Sequence, residues 1–158
     1  MIYNDIADIV THAKVSEAWM GLDLGTKTIG VAVSDRLLSS ATPLLTLQRK
    51  KFSLDAQALL LEISKRKIGA IILGLPRNMD GSEGPRCQST RAFARNLTSL
   101  TDLAIGFWDE RLSTVAAERI LLEADTTRKR RAKVIDQVAA GYILQGALDR
   151  AYHIRAKQ

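Results

Sequence analysis

The order of extended and helical segments predicts an α/β domain, a mixed sheet with helices packed on its faces. Three observations carry that expectation. Two extended runs, WMGLDLG and TIGVAVSD, are joined by Gly25, Thr26 and Lys27, the pattern of a tight hairpin and so of antiparallel pairing. Farther along, IGAIILGLP is continuously apolar over a strand's length, as a central strand covered on both faces has to be. The segments around it carry apolar residues at helical spacing, so crossovers follow the hairpin.

TPLLTLQRK is a candidate third strand after the hairpin. Phe52 to Arg66 places Leu54, Ala58 and Leu61 at helical spacing, with Ser53 positioned to cap the N-terminus. After IGAIILGLP comes PRNMDGSEGP, too polar to bury and long enough to be a functional loop. Pro85 suits the start of a helix running to about Thr98. DLAIGFWDE reads as the fifth strand and STVAAERILLEA as a further helix, with Ser113 or Thr114 near its cap. The basic stretch TTRKRRAK then leads into a last helix through about Tyr152. No internal repeat or linker interrupts the chain, and 158 residues suit a single core.

Composition narrows the function classes. Apolar residues make up 46% and charged residues 25%, which excludes wholesale disorder. No apolar run approaches the roughly 20 residues that span a bilayer, and the first residues lack the pattern of a signal peptide, so a cytoplasmic protein without membrane contact is expected. Cys87 is the only cysteine, which rules out an internal disulfide and a thiolate-rich zinc site and fits a reducing compartment. It reads as an incidental small residue on a loop or helix. The net charge of +6 favours polyanionic partners, nucleic acid first among them.

Against that basic background four acidic residues at three places stand out. Asp23 interrupts the apolar sequence of a strand expected to be central, where an unpartnered carboxylate is costly to desolvate. Asp109 and Glu110 close the fifth strand, and the two-residue period sends them to opposite faces, so only one can join Asp23 directly. Asp136 shares a helix face with Ala132, Ala139, Ala140, Ile143 and Ala147, small residues that let a helix lie close to a sheet. Its place near the helix N-terminus also suits a negative charge. Each acid has a purely structural alternative: a turn residue at Asp23, a capping or surface group at Asp109 or Glu110, a helix-end charge at Asp136. Acidic donors with no cysteine partner, and only the peripheral His12 and His153 besides, favour a hard ion, Mg2+ or Mn2+, over zinc. A pair of such ions suits in-line displacement at a phosphodiester.

The segments GLDLGTKTIGVAVSD, GLPRNMDGSEGP, DERLST and KVIDQVAAGYILQGALD together resemble the YqgF/RuvX family of proposed pre-16S rRNA nucleases, related to Holliday junction resolvases and to the RNase H-like fold. The resemblance implies an RNase H-like mixed five-stranded sheet with helices on both faces over residues 19–154, leaving residues 1–18 as an N-terminal extension without an assigned role. It also implies metal-binding and catalytic roles for Asp23, Glu110 and Asp136, with Asp109 accessory. The expected activity is metal-dependent endonucleolytic processing of the 5′ end of pre-16S rRNA in ribosome biogenesis.

Phosphate contacts are expected first from Arg128, Lys129, Arg130, Arg131 and Lys133, a basic run just ahead of Asp136. Arg77, Asn78 and Arg86 in and beside the glycine-rich loop, Arg111 beside Glu110, and Lys27 in the first hairpin are further candidates. Structured RNA is the expected partner. Two rivals stay open: a resolvase cutting DNA junctions, which needs two symmetric active sites and so normally a dimer, and a non-catalytic nucleic-acid-binding factor acting in transcription. The sequence carries no signal of oligomeric state. DLGTKT also resembles the first phosphate-binding segment of actin-like ATPases and sugar kinases, but those enclose nucleotide between two domains and this chain has length for one.

Overall fold

The structure, a computed structural model, describes residues 1–112, 121 and 128–158, of which 128–133 are described as backbone alone. Its elements are β1 (Ile2–Tyr3), α1 (Ile6–His12), β2 (Ala18–Leu24), β3 (Thr28–Ser34), β4 (Ala41–Gln48), α2 (Phe52–Arg66), β5 (Ile68–Leu75), α3 (Pro85–Thr98), β6 (Ala104–Asp109), a 3-10 turn at Glu110–Leu112, and α4 (Arg128–Ala156). The helix expected over residues 113–124 falls, apart from residue 121, outside the described residues.

Mixed pairing is present as expected. The sheet order is β1-β6-β5-β2-β3-β4. The hairpin β2–β3 and its neighbour β4 pair antiparallel, whereas β2, β5 and β6 run parallel. Among the described residues there are six strands rather than five, because the N-terminal residues add β1, parallel to β6 at Ile105 and Gly106. The Ile105 N–H donates to the Met1 carbonyl at 3.0 Å. Behind β1, α1 buries Ile6 and Ile9 against the same strand, helped by Asp5, which accepts from the Ala7 N–H at 2.9 Å as an N-cap.

Strand alternation divides the core into two layers. Met20, Leu22 and Leu24 of β2, Ile71, Leu73 and Leu75 of β5, and Ile105 and Phe107 of β6 form one, covered by Leu59 of α2 and Phe93 and Leu97 of α3. Trp19, Ala32, Ala70, Ile72, Ala104 and Trp108 form the other, covered by Ala139, Ala140, Ile143, Leu144 and Ala147 of α4. The alanine-rich face anticipated around Asp136 is therefore the face that lies on the sheet. Among the described residues no helix is long and apolar enough to cross a membrane.

Two helix starts differ from expectation. Lys51, not Ser53, is the N-cap of α2; Asp55 one turn inside it accepts the Lys50 N–H at 2.9 Å. The basic run is helical too, since α4 begins at Arg128. Asp136 consequently sits in the third turn, beyond the reach of the helix-end dipole, and needs another reason for its charge.

Candidate active site

The same alternation that points Met20, Leu22 and Leu24 at α2 and α3 turns Trp19, Gly21 and Asp23 toward α4. Asp23 is 6% exposed. On one side it pairs with Gly30 of β3. On the other, the β2–β5 register ends at Leu22 opposite Leu73, so Gly74 is the next position along β5 beside Asp23. A glycine thus flanks the carboxylate on each neighbouring strand.

Both glycines are required by close approach. A Cβ on Gly30 would meet the Asp136 main-chain carbonyl, because α4 comes down directly on β3 there. A Cβ on Gly74 would meet the Ile143 side chain and stand 2.8 Å from Glu110 Oε1. Glu110 therefore lays its carboxylate over Gly74, on the α4 side of the sheet and one strand away from Asp23. The space left by two missing side chains is where the acids of three separate elements approach the same face.

Asp136 is held by a residue that sequence reasoning missed: Thr28, at the start of β3, donates its hydroxyl to Asp136 Oδ2 at 2.5 Å. That bond, and not the helix end, accounts for an aspartate on the alanine face. Nothing in the sequence links positions 108 residues apart; only a hydroxyl facing α4 two residues before Gly30 was there to be noticed. Among the described residues no three histidine, cysteine, aspartate or glutamate side chains lie close enough together to share an ion. The acids share a face and an oxygen-donor chemistry suited to a hard cation; they do not yet form a closed cage.

Asp109 goes the other way. It pairs with Leu75 and follows Phe107 into the α3 layer. Its carboxylate accepts from Arg111 Nη2 at 2.7 Å, from Arg111 Nε at 3.1 Å and from the Arg111 N–H at 3.0 Å. The Arg111 guanidinium holds the Asp109 carboxyl below the usual aspartate range, and the carboxylate in turn raises Arg111. The pairing continues through Arg77, 4.0 Å from Asp109 and 3.3 Å from Glu83, to Arg91, which forks onto Glu83 at 2.6 and 2.7 Å. Arg91 also reaches Asn4 at 3.0 Å and lies 4.9 Å from the Phe107 ring centre. This chain of charges ties the glycine-rich loop to the end of β6, with Arg111 donating to the Met79 carbonyl at 3.4 Å.

The sequence-predicted phosphate ligands fall into three groups. Arg77 and Arg111 are engaged by carboxylates, and Asn78 closes its own loop, its amide donating to Ser82 at 2.9 Å. Lys27 and Arg86 are exposed, at the β2–β3 turn and the first turn of α3. The side chains of Arg128, Lys129, Arg130, Arg131 and Lys133 lie outside the described residues. Cys87 is buried in α3, and burial pushes its thiol up, away from nucleophilic use at neutral pH.

Comparison with known proteins supplies independent likenesses. Residues 17–150 match a family model described as RuvX: Holliday junction resolvase. A protein of Ruegeria sp. (strain TM1040) named "Putative pre-16S rRNA nuclease" is 69% identical over 156 residues, covering 99% of each chain. A Paracoccus denitrificans protein of the same name is 75% identical over 150 residues, covering 95% of each. Among solved structures, Thermus thermophilus RuvC in complex with a Holliday junction substrate is similar at a TM-score of 0.54 and 10% identity, over 85% of this chain and 94% of that one. At that identity the likeness is one of fold.

Proposed function

The chain belongs to the RuvX family, and from that premise we propose that it is a divalent-metal-dependent endonuclease that processes the 5′ end of pre-16S rRNA in the cytoplasm. The carrying observation is the sorting of acids at the ends of the parallel strands: Asp23 and Glu110 on the α4 face around Gly74, with Asp136 above Gly30. RNA is favoured over DNA because relatives as similar as 69% and 75% over nearly the full chain carry a ribosomal RNA nuclease name. The family model's own description favours a DNA junction as second substrate.

Asp23, Glu110 and Asp136 would hold Mg2+ or Mn2+, whose chemistry when bound is activation of a water and stabilisation of the leaving oxygen at phosphorus. The chain's own contribution is placement. Asp23 is fixed by a buried strand, and Asp136 is oriented by the Thr28 hydroxyl. Glu110 follows a strand end whose Asp109 is clamped by Arg111. The surplus of positive charge draws the polyanion in.

Cleavage of a pre-16S RNA fragment and of a four-way DNA junction, each with Mn2+, tests the proposal on the wild type, Asp23→Asn and Asp136→Asn. RNA cleavage by the wild type alone is expected, with both variants falling by more than the roughly 100-fold that loss of a supporting metal contact costs. Equal activity in all three proteins contradicts the metal site. Junction cleavage by a dimer without RNA cleavage transfers the same chemistry to DNA.

A further inference from the structure

The glycine-rich end of the molecule holds two kinds of arginine. Arg77, Arg91 and Arg111 each sit on a carboxylate. Arg49 and Arg86 do not: among the described residues neither has an acidic group within ion-pair distance. Both line a single cavity of about 210 Å³ between the β2–β3 turn and the start of α3. Its other polar walls are the main chain at Gly25 and the hydroxyl residues Thr26, Ser89 and Thr90, and among the described residues no carboxylate lines it. Two guanidiniums facing one cavity with no acidic partner among the described residues make an electropositive recess that suits an anion.

Arg49 is built in rather than loosely hung. Its N–H donates to the Lys27 carbonyl at 2.8 Å and its Nη1 to the Gly25 carbonyl at 2.7 Å, while the guanidinium lies 5.8 Å from the Phe93 ring centre. One hydrogen-bond donor of the fork is used on the turn; others remain for a ligand. Arg86 is exposed and free to close from the opposite wall. The cavity has room for several waters at about 30 Å³ each, and so for a hydrated tetrahedral oxyanion. It borders Leu24 and Gly25, immediately after Asp23 on the same strand end.

We propose that this cavity is a phosphate subsite in which Arg49 and Arg86, from opposite walls, hold a backbone phosphate of the nucleic acid at the strand end that carries Asp23, on the α3 side of the sheet. The proposal rests on the nucleic-acid reading above and extends it to a specific contact. Free inorganic phosphate has the same chemistry, so the test separates the two sources.

Binding is measured with cleavage switched off, on the full chain carrying Asp23→Asn in EDTA, so that failure of the nuclease reading leaves the result untouched. A structured RNA hairpin is titrated by fluorescence anisotropy across a salt series, with and without Arg86→Ala, an exposed position whose loss spares the fold. In parallel, inorganic phosphate is titrated while the arginine Nε–H resonances are followed. The expected result is a weaker complex with Arg86→Ala, a slope of log K against log salt smaller by about one, and phosphate-dependent shifts at Arg49 and Arg86. Unchanged affinity and slope overturn the proposal. Phosphate shifts with an unchanged RNA slope overturn it as well, since the cavity then takes free phosphate and not substrate.

Discussion

Asp109 and Glu110 are neighbours in sequence and end on opposite sides of the sheet in opposite surroundings. Asp109 is wrapped by the Arg111 fork, with Arg77 beyond it, in the layer covered by α3. Glu110 lies over Gly74, in the layer covered by α4 and shared with Asp23. The difference teaches that a single strand-end dipeptide serves two purposes, because the pleat cannot send both side chains to one face. One carboxylate is spent on an arginine network that anchors the loop at residues 76–84. The other lies over Gly74, on the face covered by α4.

Exchanging the roles of these two regions gives the largest expected effect. Glu110→Gln should lower Mn2+-dependent cleavage by more than roughly 100-fold, whereas Asp109→Asn should retain most of it. Comparable losses in both, measured on the same RNA, would erase the distinction between them. Next comes the close approach itself: Gly30→Ala forces a methyl group into the Asp136 carbonyl and should cost about 2–3 kcal/mol in urea unfolding, at the upper end for overpacking. A variant as stable as the wild type would mean that α4 is not seated as described.

Smaller effects sharpen the two sides separately. Thr28→Val removes the hydroxyl on Asp136 Oδ2 and should weaken Mn2+ binding by about 10-fold, read by calorimetry, with little change in melting temperature. On the arginine side the effect is one of stability and pH. The folded Asp109 carboxyl lies below its ordinary value of 3.8, so its pairing contributes fully above that value and is lost as pH falls through the folded one. Asp109→Asn should therefore cost about 1 kcal/mol at pH 7, and the gap between variant and wild type should close in acid below 3.8. A gap independent of pH would assign Asp109 a role other than ion pairing.

Much of this arrangement was legible before any coordinates. The hairpin, the central strand at IGAIILGLP and the alanine face of α4 each follow from local periodicity, and Asp23 declares itself by breaking an apolar strand. The choice of Glu110 over Asp109 was beyond periodicity, which says that the two diverge without saying which way. The structure adds the direction, with the Glu110 carboxylate over Gly74 on the α4 side, and the metal role proposed for it rests on that placement. β1 escaped notice because two residues carry no alternation to detect. Thr28 and Arg49 escaped because their partners, Asp136 and the Gly25 carbonyl, are joined to them only by tertiary packing. The basic run at residues 128–133 is helical where the sequence suggests a lead-in, because arginine, lysine and alanine are all good helix formers.

In the proposed function the acids on the α4 face, and not Asp109 on the other, hold the metal. Diffraction from a crystal soaked in Mn2+, with the anomalous signal of the ion, tests it most directly. Manganese bound by Asp23, Glu110 and Asp136 is the expected result, with Asp136 moved relative to Thr28 as the cage closes. Manganese at Asp109, or on the acids of the glycine-rich loop with none on the α4 face, would contradict it.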